Sequence, residues 1–179
     1  MDWNLVITIV AGPHHVHDVL RQLNAFGWFS RTAFKDVCTG EVEDVPAFLE
    51  HIAAVREQHD SWALMVGRII PVERVFDFTP ENFAERLKEA VAPFAERMQS
   101  GTFHVRVERR GHAGEIPTQA IERAVADHLY ELAQARGVRL ATDFREPDYV
   151  VAAETLGEQC GVALLTRDLA RRFPFVQVH

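Results

Sequence analysis

Cysteine is scarce in this chain. Only Cys38 and Cys160 occur among 179 residues, far apart and in no Cys-x-x-Cys spacing. That spacing argues against a disulfide framework and a thiolate zinc site, and makes a reducing cytoplasm the expected compartment. Long apolar runs are also missing. None approaches the ~20 residues that span a bilayer, so no membrane association is expected. The N-terminus, MDWNLVITIV, carries an acid where a secretion signal carries bases. The common catalytic fingerprints are absent too: no GxGxxG after a strand, no GxxxxGK[ST], no GxSxG and no HExxH. The expectation is a protein that is not an enzyme, with no catalytic residue, no cofactor and no metal. What is present is an ordinary globular composition, 47% hydrophobic and 25% charged.

Periodicity divides the chain near residue 75. In residues 3–10, Trp3, Leu5, Ile7 and Ile9 alternate with Val6 and Val10, which reads as a strand buried on both sides. Val16, Val19, Leu20 and Leu23 then recur at helical spacing until Gly27. Residues 32–39 read as a second strand. Val45, Phe48, Leu49 and Ile52 mark a second helix with Asp44 as its cap. Trp62, Leu64, Val66 and Ile70 read as a third strand. The order β-α-β-α-β predicts a small α/β (α+β) layer of ferredoxin-like type over residues 1–75, completed by a final helix.

Residues 76–179 form the second expected domain, also α/β. Thr79-Pro80-Glu81 has the chemistry of a helix start, and Phe83, Leu87, Val91, Phe94 and Met98 supply its apolar stripe, with a break at Pro93. After Gly101, Phe103, Val105 and Val107 alternate with His104, Arg106, Glu108 and Arg110 along a strand. A long helix runs from Thr118 through Ile121, Val125, Leu129 and Leu132 to Gly137. Strands follow at 138–142, 149–155 and 161–166, then a short basic helix at 167–172.

The formal net charge is −7, which at first sight opposes nucleic acid as a partner. Its distribution says otherwise. Residues 1–75 carry −4 and residues 76–100 carry −2, whereas residues 101–179 carry only −1, with ten bases that are all arginine. These cluster in HVRVERRGH (104–112) and RDLARR (167–172). Arginine forks phosphate oxygens and stacks on bases, so an arginine-only set suits nucleic acid; the plainer reading is salt bridges to a neighbouring helix.

Two other clusters draw the eye. His14 and His17 stand three apart at a helix start with His15 between them, and Asp18 is the only adjacent further ligand. Surface histidines there are ordinarily unliganded. Asp143, Glu146 and Asp148 surround a turn, where Asp and Pro are normal turn chemistry. Cys38 and Cys160 fall in strands, as packing groups.

GTFHVRVERRGH (101–112), IPTQAIERAVADHL (116–129) and EPDYVVAAETLGEQCGVALLTRDLARRFP (146–174) together resemble a THUMP domain, the RNA-binding module of several tRNA-modifying proteins. GRIIPVERVFDFTPENF (67–83) is similar to the family's link from an N-terminal ferredoxin-like domain. The resemblance implies tRNA as partner. It implies RNA contacts from His104, Arg106, Arg109, Arg110 and His112, flanked by Arg167, Arg171 and Arg172 and extended by Lys35, Arg68 and Arg74. THUMP domains usually accompany a catalytic domain, and the chain given stops at His179. The arrangement therefore is similar to the stand-alone THUMP adaptor of tRNA cytidine acetylation. By that resemblance it would be a non-catalytic adaptor holding tRNA for a separate RNA acetyltransferase. The alternatives are service to another tRNA-modifying enzyme (thiolation or methylation), or a protein-interaction scaffold that does not touch RNA.

Overall fold

The computed structural model describes residues 2–178 as a mixed α/β structure with two sheets and six α-helices. It forms two compact units. One runs up to Val72 and includes Arg172–Gln177; the other is Glu73–Arg171.

The first unit contains β1 (Leu5–Ile9), α1 (His15–Leu23), β2 (Trp28–Arg31), β3 (Val37–Glu41), α2 (Val45–Glu57), α3 (Ser61–Leu64) and β4 (Val66–Pro71). The sheet order is β2-β3-β1-β4, with every pair antiparallel. This is the split β-α-β arrangement of the ferredoxin-like layer. The single strand expected at 32–39 is a hairpin instead. The Thr32 hydroxyl accepts from the Phe34 amide at 3.1 Å and donates to the Val37 carbonyl at 2.9 Å, and Asp36 adopts φ 60. A hydroxyl-closed loop thus interrupts a sequence that reads as continuous strand. That hairpin supplies the fourth strand, and the expected final helix does not follow β4. Ser61–Leu64 turns helically, so the last strand starts at Val66 rather than Trp62.

Both faces of β1 are buried, with Leu5 and Ile7 at 0% exposure and Val6 at 1%. Asp44 caps α2 as expected, accepting from the Ala47 amide at 2.9 Å. Residues 172–177, expected with the second domain, belong to this unit. The Ile69 amide donates to the Phe175 carbonyl at 2.9 Å, the Arg56 guanidinium lies 5.5 Å from the Phe175 ring centroid, and Phe173, Phe175 and Val176 are buried. Three apolar side chains in four residues need a core, and this unit provides it.

The second unit contains β5 (Arg74–Asp77), α4 (Phe83–Val91), a 3₁₀ turn (Ala92–Glu96), β6 (Gly101–Glu108), α5 (Thr118–Ala135), β7 (Leu140–Thr142), β8 (Tyr149–Leu156) and β9 (Gln159–Thr166), followed by α6 (Arg167–Arg172). Its sheet order is β5-β9-β8-β6-β7. β6 runs parallel to both β7 and β8, and the other pairs are antiparallel. Phe103, Val105 and Val107 of β6 join Phe83, Leu87 and Val91 of α4 and Ile121, Val125 and Leu129 of α5 in one core. Pro93 does end α4, which gives way to the 3₁₀ turn. Two helix starts shift. The Asn82 side chain accepts from the Thr79 amide at 2.8 Å, and α4 begins at Phe83. Thr118 is the first residue of α5, with Pro117 in the cap position.

Candidate nucleic-acid interface

Strand alternation in β6 turns Phe103, Val105 and Val107 into the core and His104, Arg106 and Glu108 to the other face. The expected continuation to Arg110 fails because the strand ends at Glu108. The Arg110 amide donates to the Thr155 hydroxyl at 2.8 Å, and the Gly157 amide donates to the Arg110 carbonyl at 3.1 Å. The Arg110 guanidinium donates to Glu154 at 2.6 Å, with side-chain exposures of 10% and 4%. Arg110 is therefore half of a buried ion pair and is not available to phosphate.

The remaining sequence-predicted residues disperse. Arg109 donates to the Gly111 carbonyl. His112, at φ 52, has Nδ1 3.1 Å from Glu115 and its ring 5.7 Å from Phe78. Arg167 lies 3.4 Å from Asp148 and donates to the Glu146 carbonyl. Arg171 is exposed, while Arg172 is ion-paired with Glu50 in the first unit. Lys35, on the β2–β3 loop, and Arg68, opposite Thr8 in β4, also belong to the first unit. Arg74 is exposed on β5.

His104 and Arg106 do come together, in a cleft made by an incomplete sheet edge. β7 pairs with β6 only from Gly101 to Phe103. Beyond that point Glu122 of α5 takes the place of a strand, accepting from the Val107 amide at 2.9 Å. α5 and the turn after β7 then flank a cavity of about 520 Å³ lined by His104, Arg106, Gln119, Arg123, Tyr130 and Phe144, among others. Tyr130 and Thr142 close one end through a hydroxyl–hydroxyl bond. His104 Nδ1 is 3.1 Å from the Asp143 carbonyl oxygen, and its ring lies 5.5 Å from that of Phe144. Phe144 is 75% exposed. The Arg106 Nε is buried with no hydrogen-bond partner among the described residues. Asp143 shapes the turn, accepting from the Arg145 and Glu146 amides, and those bonds hold its carboxyl below the usual range.

Two guanidinium groups, an amide and an exposed ring suit phosphate contact and base stacking. Glu122 and Asp127 also line the cleft, so it is mixed in charge rather than a basic groove. Sequence reading missed Arg123, Tyr130 and Phe144. The only signal was a large aromatic residue inside the otherwise polar turn DFREPD.

Elsewhere the chemistry is quiet. Burial pushes the Cys38 thiol up to about 11, and Cys160 is raised well above its ordinary value for the same reason. Among the described residues no three His, Cys, Asp or Glu side chains group to hold a metal. His15 Nδ1 is 2.7 Å from the Val10 carbonyl oxygen, and His14 and His17 are exposed. No helix among the described residues is long and apolar enough to cross a membrane.

No curated protein matches the chain in sequence. Solved structures share its fold at low identity. PH1313 from Pyrococcus horikoshii Ot3 is 8% identical with a TM-score of 0.62, over 92% of this chain and 54% of its own. TrmN from Thermus thermophilus is 20% identical with a TM-score of 0.59, over 95% and 48%. A 4-thiouridine synthetase solved with RNA and bound ATP is 13% identical with a TM-score of 0.57, over 92% and 41%. The chain thus spans about half the length of these proteins or less. In sequence, residues 81–165, from the turn before α4 through nearly all of β9, match the family model of the THUMP domain.

Proposed function

We infer that this protein binds tRNA through its THUMP domain and presents it to a separate modifying enzyme, without doing chemistry itself. The match of residues 81–165 carries the reading. The cleft beside β6 supplies suitable chemistry: Arg106 and Arg123 for phosphate, Phe144 for an unstacked base. Phosphate contacts would position the RNA and not read its sequence. The test is a titration of the full chain with tRNA at low and moderate salt. Binding should weaken steeply as salt rises, because neutralised phosphates release counterions. Charge reversal at Arg106 and Arg123 together should weaken it at least about tenfold. Unchanged affinity in that double variant would sink the assignment of this cleft.

For the reaction served, the chain's resemblance to the adaptor of cytidine acetylation favours N4-acetylcytidine formation. A second reading, thiolation, draws on the 4-thiouridine synthetase that shares the fold and is solved with RNA. Nucleoside analysis of tRNA from cells lacking the protein separates them: loss of N4-acetylcytidine supports the first, and loss of 4-thiouridine the second.

A further inference from the structure

The first unit holds a cleft of different character, acidic rather than mixed. A cavity of about 590 Å³ lies beside β2, lined by Phe26, Trp28, Glu41, Glu43, Phe48 and His51, among others. A second, of about 310 Å³, shares Trp28 and Glu41 with it and adds Asp2. Among the described residues, no lysine or arginine lines either cavity.

The aromatic wall is built. The Phe26 ring lies 4.3 Å from His51 and 6.1 Å from Phe48, and Phe29 lies 5.7 Å from Phe48. Gly27 keeps the strand close: a Cβ there would fall 2.2 Å from the Glu41 carbonyl oxygen. Trp28, directly across from Glu41 in the β2–β3 pairing, is nevertheless 75% exposed. Glu41 Oε2 is buried with no hydrogen-bond partner among the described residues. A carboxylate oxygen out of water and unpaired is costly, and a cation removes the cost. The N-terminus of α2 opens into the same cavity and would ordinarily favour an anion. Asp44 already occupies it through the Ala47 amide, which leaves Glu41 and Glu43 for a ligand.

β2 is the outer strand of its sheet, so one side of its backbone has no strand partner. An open edge accepts an extended segment whose alternate side chains enter neighbouring pockets. A guanidinium matches both walls, stacking on an indole face while forking a carboxylate. The net charge of −4 over residues 1–75 opposes a second copy of this chain. We propose that the β2 edge, with Trp28, Glu41 and Glu43, is the docking site for an extended arginine-bearing segment of a partner protein.

The experiment titrates the full chain with a short peptide alternating valine and arginine, read by tryptophan emission and by amide shifts. The control peptide carries citrulline, which keeps the shape and removes the charge. The arginine peptide should shift Trp28, Glu41 and Glu43, and should bind at least about tenfold better than the citrulline peptide. Glu41→Gln with Glu43→Gln should lose a similar factor, and so should Trp28→Ala at an exposed position. Equal binding of both peptides, unchanged binding by folded variants, or shifts confined to other elements overturns the proposal. So does sedimentation showing that the β2 edge is closed by a second copy.

Discussion

Each unit leaves part of a sheet edge open, β2 in the first and the far end of β6 in the second. Each sets an exposed aromatic ring beside that opening, Trp28 and Phe144, both 75% exposed. The surroundings differ in charge, acidic in the first and mixed in the second. Glu41 and Glu43 stand near Trp28, with no lysine or arginine among the described residues lining the cavity, whereas Arg106 and Arg123 line the cleft of Phe144 beside Glu122 and Asp127. An open edge with an aromatic wall offers the same backbone and stacking in both places, so charge is what would direct different partners to them. The total of −7 describes neither surface.

The largest expected effect would break the assumption that every arginine in HVRVERRGH acts alike. Arg110→Ala removes the cationic half of the buried Arg110–Glu154 pair, and losing one partner of such a pair costs about 3–5 kcal/mol. Chemical denaturation should show that loss as a lower midpoint. Arg123→Ala, at an exposed position of the same domain, should move the midpoint by less than ~0.5 kcal/mol. Equal effects from the two would mean that Arg110 is not the structural member of the set.

A smaller effect sharpens the Phe144 side. Phe144→Ala removes a stacking platform, and base–aromatic stacking contributes about 1–3 kcal/mol. tRNA affinity should fall by that amount while the unfolding midpoint stays put, because the ring is exposed. A variant that binds tRNA like wild type would remove stacking from the cleft's role.

These contrasts were only partly legible in the sequence. α5 and the β8–β9 hairpin were, because Val125 and Leu129 recur at helical spacing and Val151 and Ala153 at strand spacing over long elements. β5 was not, since four residues with a single buried side chain, Phe76, leave too short a pattern to read. The β2–β3 hairpin was hidden by a turn that depends on the Thr32 hydroxyl rather than on glycine or proline. At the site, the alternation of His104 and Arg106 was read correctly, and Arg110 was misplaced by extending a period past the strand's last residue. Arg123 and Phe144 belong to elements distant in sequence from β6, and only the fold brings them beside it.

The smallest effect tests whether the carboxylates around Trp28 are equivalent. Asp44 lines the same cavity as Glu41 and Glu43, yet its side chain is already bonded to the Ala47 amide at the start of α2. Asp44→Ala removes an N-cap and should lower stability by about 1 kcal/mol. It should leave binding of the arginine peptide within about twofold of wild type, since the charge removed was committed to the helix. Glu43→Gln should do the reverse, weakening the peptide and sparing the midpoint, because Glu43 is exposed and caps nothing. If Asp44→Ala weakens the peptide as much as Glu43→Gln does, the edge attracts cations by summed charge alone, and the division between a capping and a ligand-facing carboxylate is lost.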